Sequence, residues 1–100
     1  MIILITYEKF DFSIPVESLN NAIMGSSNGW WHHFSNVWII NTSLSMNQVH
    51  NNLIPNISTL DRIMLIEIKE NYQGWLPQEA WDWLKSNFHS DKSALQKLFS

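Results

Sequence analysis

The chain has 100 residues, 45% of them hydrophobic and 15% charged, and a formal net charge of −3. This length suits one domain, and the composition excludes a disordered, highly charged protein. Only six Lys and Arg are spread along the chain, which argues against nucleic acid as a partner because proteins that grip phosphate backbones concentrate their basic side chains.

Several sequence features that would indicate particular protein classes are missing from the chain. The chain has no cysteine, which excludes disulfides and thiolate metal sites. It carries no Gly-rich phosphate loop, no Ser-His-Asp order and no HExxH motif, so we expect no cofactor. The apolar run over residues 2–5 is too short for a signal peptide, and no stretch reaches the roughly 18 apolar residues of a membrane span. We therefore expect a cytoplasmic protein.

The first half of the chain predicts a strand, a helix and a hairpin. The β-branched run over residues 2–8 indicates a strand that ends in a charged residue. Residues 30–34 and 37–41 predict two strands with a two-residue turn between them. Between these segments, apolar side chains at helical spacing predict one helix face, made of Val16, Leu19, Ala22 and Ile23.

A second helix and a fourth strand follow. Ser45 has the N-cap position of a capping box with Gln48, and Pro55 stops the helix. Residues 62–68 then indicate a strand, because they are rich in Ile and bounded by charge. The shared face of the second helix comprises Met46, Val49, His50 and Leu53.

The C-terminal part predicts two helices. Pro77 suits the first turn of a helix that runs to about Phe88, and Ser90 caps a further short helix over residues 92–99. We therefore divide the chain into a domain of residues 1–88 and a helical tail of residues 89–100. The inward stripe of the first of these helices comprises Ala80, Trp81, Leu84 and Phe88.

The order strand, helix, strand, strand, helix, strand is that of the ferredoxin-like split βαβ sandwich. We therefore expect an α+β fold with a four-stranded antiparallel sheet, helices on one face and a C-terminal helix. The first strand places Ile3 and Ile5 on one face and Ile2 and Leu4 on the other. Either a second copy or the C-terminal helix must cover the second face, and we expect a homodimer or a stable complex with a protein partner.

Several segments carry a resemblance to a known family. They are ITYE at residues 5–8, WWH at 30–32, VWII at 37–40, LS at 44–45, LIP at 53–55, DRIMLIEI at 61–68, NYQGWLP at 71–77 and EAWDWL at 79–84. In these, residues 1–88 resemble the small bacterial proteins labelled SinR family. That family is similar in fold to the small ferredoxin-like subunit of the CRISPR adaptation complex and to VapD-type proteins. Those relatives are typically homodimers, and some are credited with metal-dependent nuclease activity.

The resemblance implies one candidate metal ligand. In these relatives the candidate is an Asp that follows an aromatic residue at the end of the first strand, and here Glu8 follows Tyr7. Glu8 at a dimer axis would share a divalent cation with its twin and activate water. Asp11 and Asp61 are the acids that could join it. Against this stands the ordinary role of a solvated strand-end acid, and the longer Glu also displaces the oxygens.

The histidines favour packing roles. His32 and His33 are adjacent on a predicted strand, so they point to opposite faces and do not readily share a metal. His50 lies on or beside the apolar face of the second helix. For each of them we expect a packing role rather than catalysis.

The six tryptophans point to protein contact. The Trp-rich strands contain no Lys or Arg, which disfavours a base-stacking platform. Trp83 lies about 200° around its helix from Trp81, outside the main core, where it would pack on the tail helix or on another chain. Aromatic side chains at partly exposed positions favour protein interfaces. The candidate partner-binding residues are Trp83, Trp75, Tyr72 and Trp38.

Two functions stay open at this point. The one we favour is a non-enzymatic small protein-binding domain, such as an antitoxin or immunity protein that neutralises a toxin. Low basic content and the aromatic surplus support it. The alternative is a divalent-metal-dependent nuclease or nucleic-acid-binding dimer related to VapD and CRISPR adaptation proteins, with Glu8 as metal ligand. The fold resemblance and Glu8 support that alternative.

Overall fold

The computed structural model describes the backbone of residues 1–99 and the side chains of residues 1–91. Over that range the protein is an α+β fold with a four-stranded antiparallel sheet and three α-helices. The elements in chain order are β1 (Ile2–Glu8), α1 (Val16–Gly25), β2 (Gly29–Phe34), β3 (Val37–Asn41), α2 (Met46–Leu53), a 3-10 turn (Ile54–Asn56), β4 (Arg62–Glu67) and α3 (Gln78–Phe99). None of the helices described is both long and apolar enough to cross a membrane.

The sheet has the strand order β2-β3-β1-β4, so β1 is paired on both sides. Ile5 lies opposite Trp38 of β3 and opposite Leu65 of β4. The predicted bounds of β1 and β3 are confirmed, whereas β2 begins at Gly29 and β4 ends at Glu67. The two-residue turn between β2 and β3 is confirmed as well. The four predicted strands therefore form one antiparallel sheet.

Two of the helices cover one face of the sheet. α1 contributes Leu19 and Ile23, and α2 contributes Val49 and Leu53, all four of them buried. They pack against alternate residues of the central strands to form the first cluster. Its buried members are Ile3, Ile5, Tyr7, Leu19, Ile23, Trp38, Ile40, Val49 and Leu53. The predicted stripe of α1 is confirmed, because alternation in β1 and β3 gives it an apolar surface to cover.

The third helix packs on the opposite face. Ala80, Leu84 and Phe88 of α3 are buried against side chains that the first cluster does not use. The buried members of this second cluster are Ile2, Trp31, Ile39, Ala80, Leu84 and Phe88. The sequence left open whether a second copy or a C-terminal helix covers this face. In the structure α3 packs against this face. The apolar side chains on both faces of β1 are therefore covered by helices of the same chain.

The C-terminal prediction needs one correction. A single helix, α3, runs from Gln78 to Phe99, where the sequence predicts two helices separated near Ser90. A serine cap does not end a helix unless the backbone breaks as well, and here it continues. The expected docking of residues 92–99 on Trp83 lies outside the side chains that the structure describes.

Helix α2 begins as its capping box predicts. The Ser45 side chain accepts a hydrogen bond from the Gln48 backbone N–H, and the Gln48 side chain accepts one from the Ser45 N–H. His50 is exposed, so of the two positions predicted for it, on or beside the apolar face, the structure gives the second. The helix is only eight residues long, and its buried stripe is confined to Val49 and Leu53.

Candidate protein-binding surfaces

Two loops at one end of the sheet meet at a single carboxylate. Residues 9–13 follow β1 and residues 58–61 precede β4; we call them the loop pair. Asp61 Oδ1 accepts hydrogen bonds from the backbone N–H of Phe10 at 2.7 Å and of Asp11 at 3.0 Å. Asp61 Oδ2 accepts from the Ser58 N–H at 3.0 Å and from Lys9 Nζ at 2.6 Å. One side chain therefore joins both loops.

The ion pair within the loop pair is buried. The side chains of Lys9 and Asp61 are 4% and 0% exposed. The Asp11 N–H and the Lys9 ammonium, together with the other two N–H donors, hold the pKa of Asp61 well below its ordinary value. Hydrogen bonds from Ser13 lower the pKa of the Asp11 carboxyl in the same way. The ionised carboxylate of Asp61 is thus stabilised by the folded loops, and its hydrogen bonds fix the positions of both loops.

The fixed loops carry large apolar side chains into solvent. Phe10, Phe12 and Leu60 are all exposed, Phe12 by 75%. The Arg62 guanidinium lies 5.8 Å from the centroid of the Phe10 ring, within cation–π range. Exposed aromatic side chains beside an Arg have the composition of interface hot spots. Since the backbone beneath them is held by hydrogen bonds to the buried Asp61 side chain, a partner would find them already ordered.

A second exposed aromatic group lies in the loop that leaves the opposite end of β4. Residues 69–77, the aromatic loop, connect β4 to α3. Trp75 is 99% exposed there. Tyr72 is partly exposed and stacks on Trp81 of α3, with ring centroids 5.4 Å apart. Gly74 has φ 155°, a backbone conformation that residues with a Cβ rarely adopt, and it turns the chain just before Trp75.

Two of the four predicted partner-binding residues pack against the clusters of the sheet. Trp38 is 3% exposed and belongs to the first cluster, where His32 stacks on it at 3.8 Å. Trp83 is half-buried and packs against the second cluster. Its indole lies beside β2, where a Cβ added at Gly29 would approach the ring to 3.9 Å. The prediction for Trp38 is corrected, because α1 and α2 cover its face of the sheet. Trp83 stays partly exposed, so its role in partner binding stays a prediction.

The proposed metal ligand has a charged neighbour. Glu8 is exposed at the end of β1, and its carboxylate lies 3.8 Å from the Arg62 guanidinium. Asp61 does not join it, because both of its oxygens are engaged within the loop pair. In the part of the chain that the structure describes, no group of three or more His, Asp or Glu could hold a metal ion.

The histidines of β2 lie as alternation predicts. His32 stacks on Trp38 on the α1–α2 side of the sheet, and its Nδ1 lies 3.0 Å from the Val37 carbonyl oxygen. His33 lies 4.8 Å from Trp31, which packs under α3. The two rings therefore face different clusters and do not converge on one ligand.

Sequence reasoning missed the loop pair as a candidate site. Phe10 and Phe12 flank an acid in a polar loop, and Leu60 stands alone between polar neighbours. Isolated apolar residues in loops are ordinary, so no periodicity singles them out. The contact that unites them joins positions 9 and 61, and no local pattern reports such a distance.

Comparisons of the chain with protein families, with curated proteins and with solved structures find no match. The resemblance to SinR-family proteins therefore stays a prediction from the segments quoted above.

Proposed function

We propose that the protein is a non-enzymatic protein-binding domain and that its partner docks on the loop pair. One observation carries this proposal: exposed Phe10, Phe12 and Leu60 stand on loops fixed by the buried Lys9–Asp61 pair. An apolar patch in fixed geometry binds with little ordering entropy. Loops that only connect strands and face solvent have no need of three large exposed apolar side chains at one end of a sheet, so the cluster favours an interaction site.

The partner class that we propose is a toxin, which makes the protein an antitoxin or immunity protein. The net charge of −3 mildly favours a basic partner. Asp11 stands between Phe10 and Phe12 and supplies negative charge at the rim of the patch, whereas the charge of Glu8 is offset by Arg62. A polar rim around an apolar centre is the usual anatomy of a protein interface.

Affinity capture followed by reconstitution tests this function. Tagged protein is used to capture partners from the source cells, and each captured protein is then purified and titrated. We expect one protein to bind the parent chain, and the Phe12→Ser/Leu60→Ser variant to bind at least about tenfold more weakly. If the partner is a toxin, the parent chain also protects cells that express it and the variant does not.

The aromatic loop supplies the matched control. Trp75→Ser removes an even more exposed apolar side chain, from the loop that leaves the other end of β4, and should leave binding unchanged. A partner whose binding depends on Trp75 and not on Phe12 would move the site to the aromatic loop. If no protein discriminates the parent chain from either variant, a protein-binding role is contradicted.

We also propose that the fold is ferredoxin-like and that the chain belongs to the SinR-family proteins. The ferredoxin-like arrangement is supported by the βαββαβ order of the strands and α-helices from β1 to β4 and by the central place of β1 between β3 and β4. Membership of the SinR-family proteins is supported by the segments quoted above. Experimental structures of this chain and of a member of that family, superposed, would test both statements.

The proposed assembly is a homodimer or a complex with the toxin. The sequence favours such an assembly because the second face of the sheet is apolar. In the structure, however, α3 packs on that face. A second copy therefore has to use the part of that face that α3 leaves exposed, or another surface of the molecule.

A further inference from the structure

The outer edge of β4 has a free row of backbone hydrogen-bonding groups. The Ile68 N–H donates to the Ile2 carbonyl at 3.0 Å, so residues of the same parity in β4 point toward β1. Ile63, Leu65 and Glu67 therefore point outward. Within the described part of the chain, their backbone N–H and C=O groups have no hydrogen-bond partner.

The two edges of the sheet differ in how they are protected. β2, at one edge, has a bulge between Trp31 and Phe34 that interrupts its pairing register. Bulges, prolines and edge lysines are the usual means of preventing edge-to-edge pairing. β4, at the other edge, has an unbroken register with β1 over six residues and contains neither Pro nor Lys. Its free edge is open to another strand.

Two of the β4 side chains that face the α3 side are exposed and apolar. Met64 is 50% exposed and Ile66 is 44% exposed, although both lie on the face of the sheet that α3 partly covers. A second strand added at this edge would place its own side chains against them. The apolar surface and the free backbone thus lie on the same strand.

We propose that β4 pairs antiparallel with β4 of a second copy of the chain, in a two-fold register centred on Leu65. In this register Leu65 pairs with the partner's Leu65, and Ile63 pairs with the partner's Glu67. Every outward-pointing residue of β4 then meets another outward-pointing residue. Met64 lies opposite the partner's Ile66, twice by symmetry, so the exposed apolar side chains cover each other.

The register is specified by side-chain pairing as well as by hydrogen bonding. Shifting the centre to Met64 leaves outward Glu67 without an outward partner within β4 and sets exposed, apolar Ile66 opposite the partner's Arg62. The register centred on Leu65 gives every outward residue of β4 a partner and sets Ile66 opposite the partner's Met64 instead. Self-pairing at Leu65 is therefore the better of the two, and it joins two four-stranded sheets into one continuous sheet.

This pairing also changes the neighbourhood of the loop pair. Residues 58–61 of one protomer come next to the start of the partner's aromatic loop, because position 60 lies opposite position 70. The loop pair and the start of the aromatic loop, which flank opposite ends of β4 in one chain, become neighbours across the dimer. The inference does not rest on the proposed protein-binding function.

Sedimentation of charge variants tests the pairing and its register. We expect the parent chain to sediment at twice its mass of 11.8 kDa. Met64→Lys/Ile66→Lys sets lysines opposite each other and should reduce the mass to that of one chain. Met64→Lys/Ile66→Glu sets opposite charges across the same pairs and should restore the dimer. Phe34→Lys, an exposed position on the other edge strand, is the matched control and should stay dimeric.

Amide exchange of the parent chain gives a test that needs no variant. In the dimer the N–H groups of Ile63, Leu65 and Glu67 should be protected as strongly as those of Met64 and Ile66, and dilution should remove protection from the outward three alone. A monomeric parent chain would overturn the proposal. So would a dimer that survives the double lysine change, that is lost in Phe34→Lys, or that the Lys/Glu variant fails to restore.

Discussion

Lys9 and Asp61 form an ion pair between loops 52 positions apart in the chain, with both side chains buried. The two partners are not equivalent, because Asp61 also accepts three backbone N–H bonds. Asp61→Asn leaves a buried ammonium unpaired and weakens the bonds to both loops. Lys9→Met leaves a carboxylate that still has its three N–H donors. We expect the thermal unfolding midpoint to fall by several degrees in Asp61→Asn and by clearly less in Lys9→Met. Equal losses would contradict this account of the loop pair.

The same carboxylate should make stability dependent on acid. Because the pKa of Asp61 is lowered in the folded protein, its contribution is complete above the ordinary aspartate pKa of about 3.9 and is lost as the pH falls further. Chemical unfolding at a series of pH values should show a falling unfolding free energy below about pH 4. Asp61→Asn should flatten that dependence, and Asp11→Asn should flatten it less. An unchanged slope in Asp61→Asn would assign acid sensitivity to other groups.

The cover that α3 provides can be tested on two adjacent helix positions. Leu84 is buried in the second cluster, whereas Lys85 is exposed. Leu84→Ala should lower the unfolding free energy by about 2–5 kcal/mol. Lys85→Ala should change it by less than about 0.5 kcal/mol. Urea unfolding measures both, and a small cost for Leu84→Ala would mean that α3 does not pack on the sheet in solution.

Fluorescence should separate the tryptophans by exposure. Trp75 is 99% exposed and Trp31 is 4% exposed. Trp75→Phe should shift the emission of the remaining five tryptophans to shorter wavelengths and reduce acrylamide quenching. Trp31→Phe should shift the emission the opposite way. Should the two variants give the same shift, Trp75 is covered in solution, either by the chain or by a second copy.

We expect no cleavage of DNA or RNA with magnesium or manganese. The Glu8 carboxylate is next to the Arg62 guanidinium, and the nearest buried acid, Asp61, has its oxygens engaged in the loop pair. A nuclease metal needs ligands that stay available to it. The assay compares the parent chain with Glu8→Gln on single- and double-stranded substrates. Cleavage that disappears in Glu8→Gln would establish the nuclease alternative.

Local signals in the sequence predict the elements well. The capping box at Ser45 and the turn between β2 and β3 depend only on neighbours, and both are confirmed. The apolar pattern of β1 also indicates that both faces are buried. The pattern does not indicate which element covers the second face, because any apolar surface, from this chain or from another, could bury the same side chains.

The candidate partner residues were harder to predict for the same reason. In a strand buried on both sides, alternation no longer separates core from surface, so Trp38 could not be assigned. The angle of about 200° between Trp81 and Trp83 predicts that Trp83 lies outside the core. Because α3 lies on the sheet, however, the side chains of both residues are half-buried against the second cluster. The loop pair depends on a contact between distant positions, which single-sequence patterns do not encode.

The division of the interior by the sheet has a consequence for synthesis on the ribosome. Every buried member of the first cluster lies between Ile3 and Leu53, so a nascent chain that has emerged through α2 already contains that cluster. The second cluster waits for Ala80, Leu84 and Phe88. Until α3 emerges, Ile2, Trp31 and Ile39 form an uncovered apolar face on a half-built protein. That interval is when the chain is most open to aggregation and most in need of a chaperone.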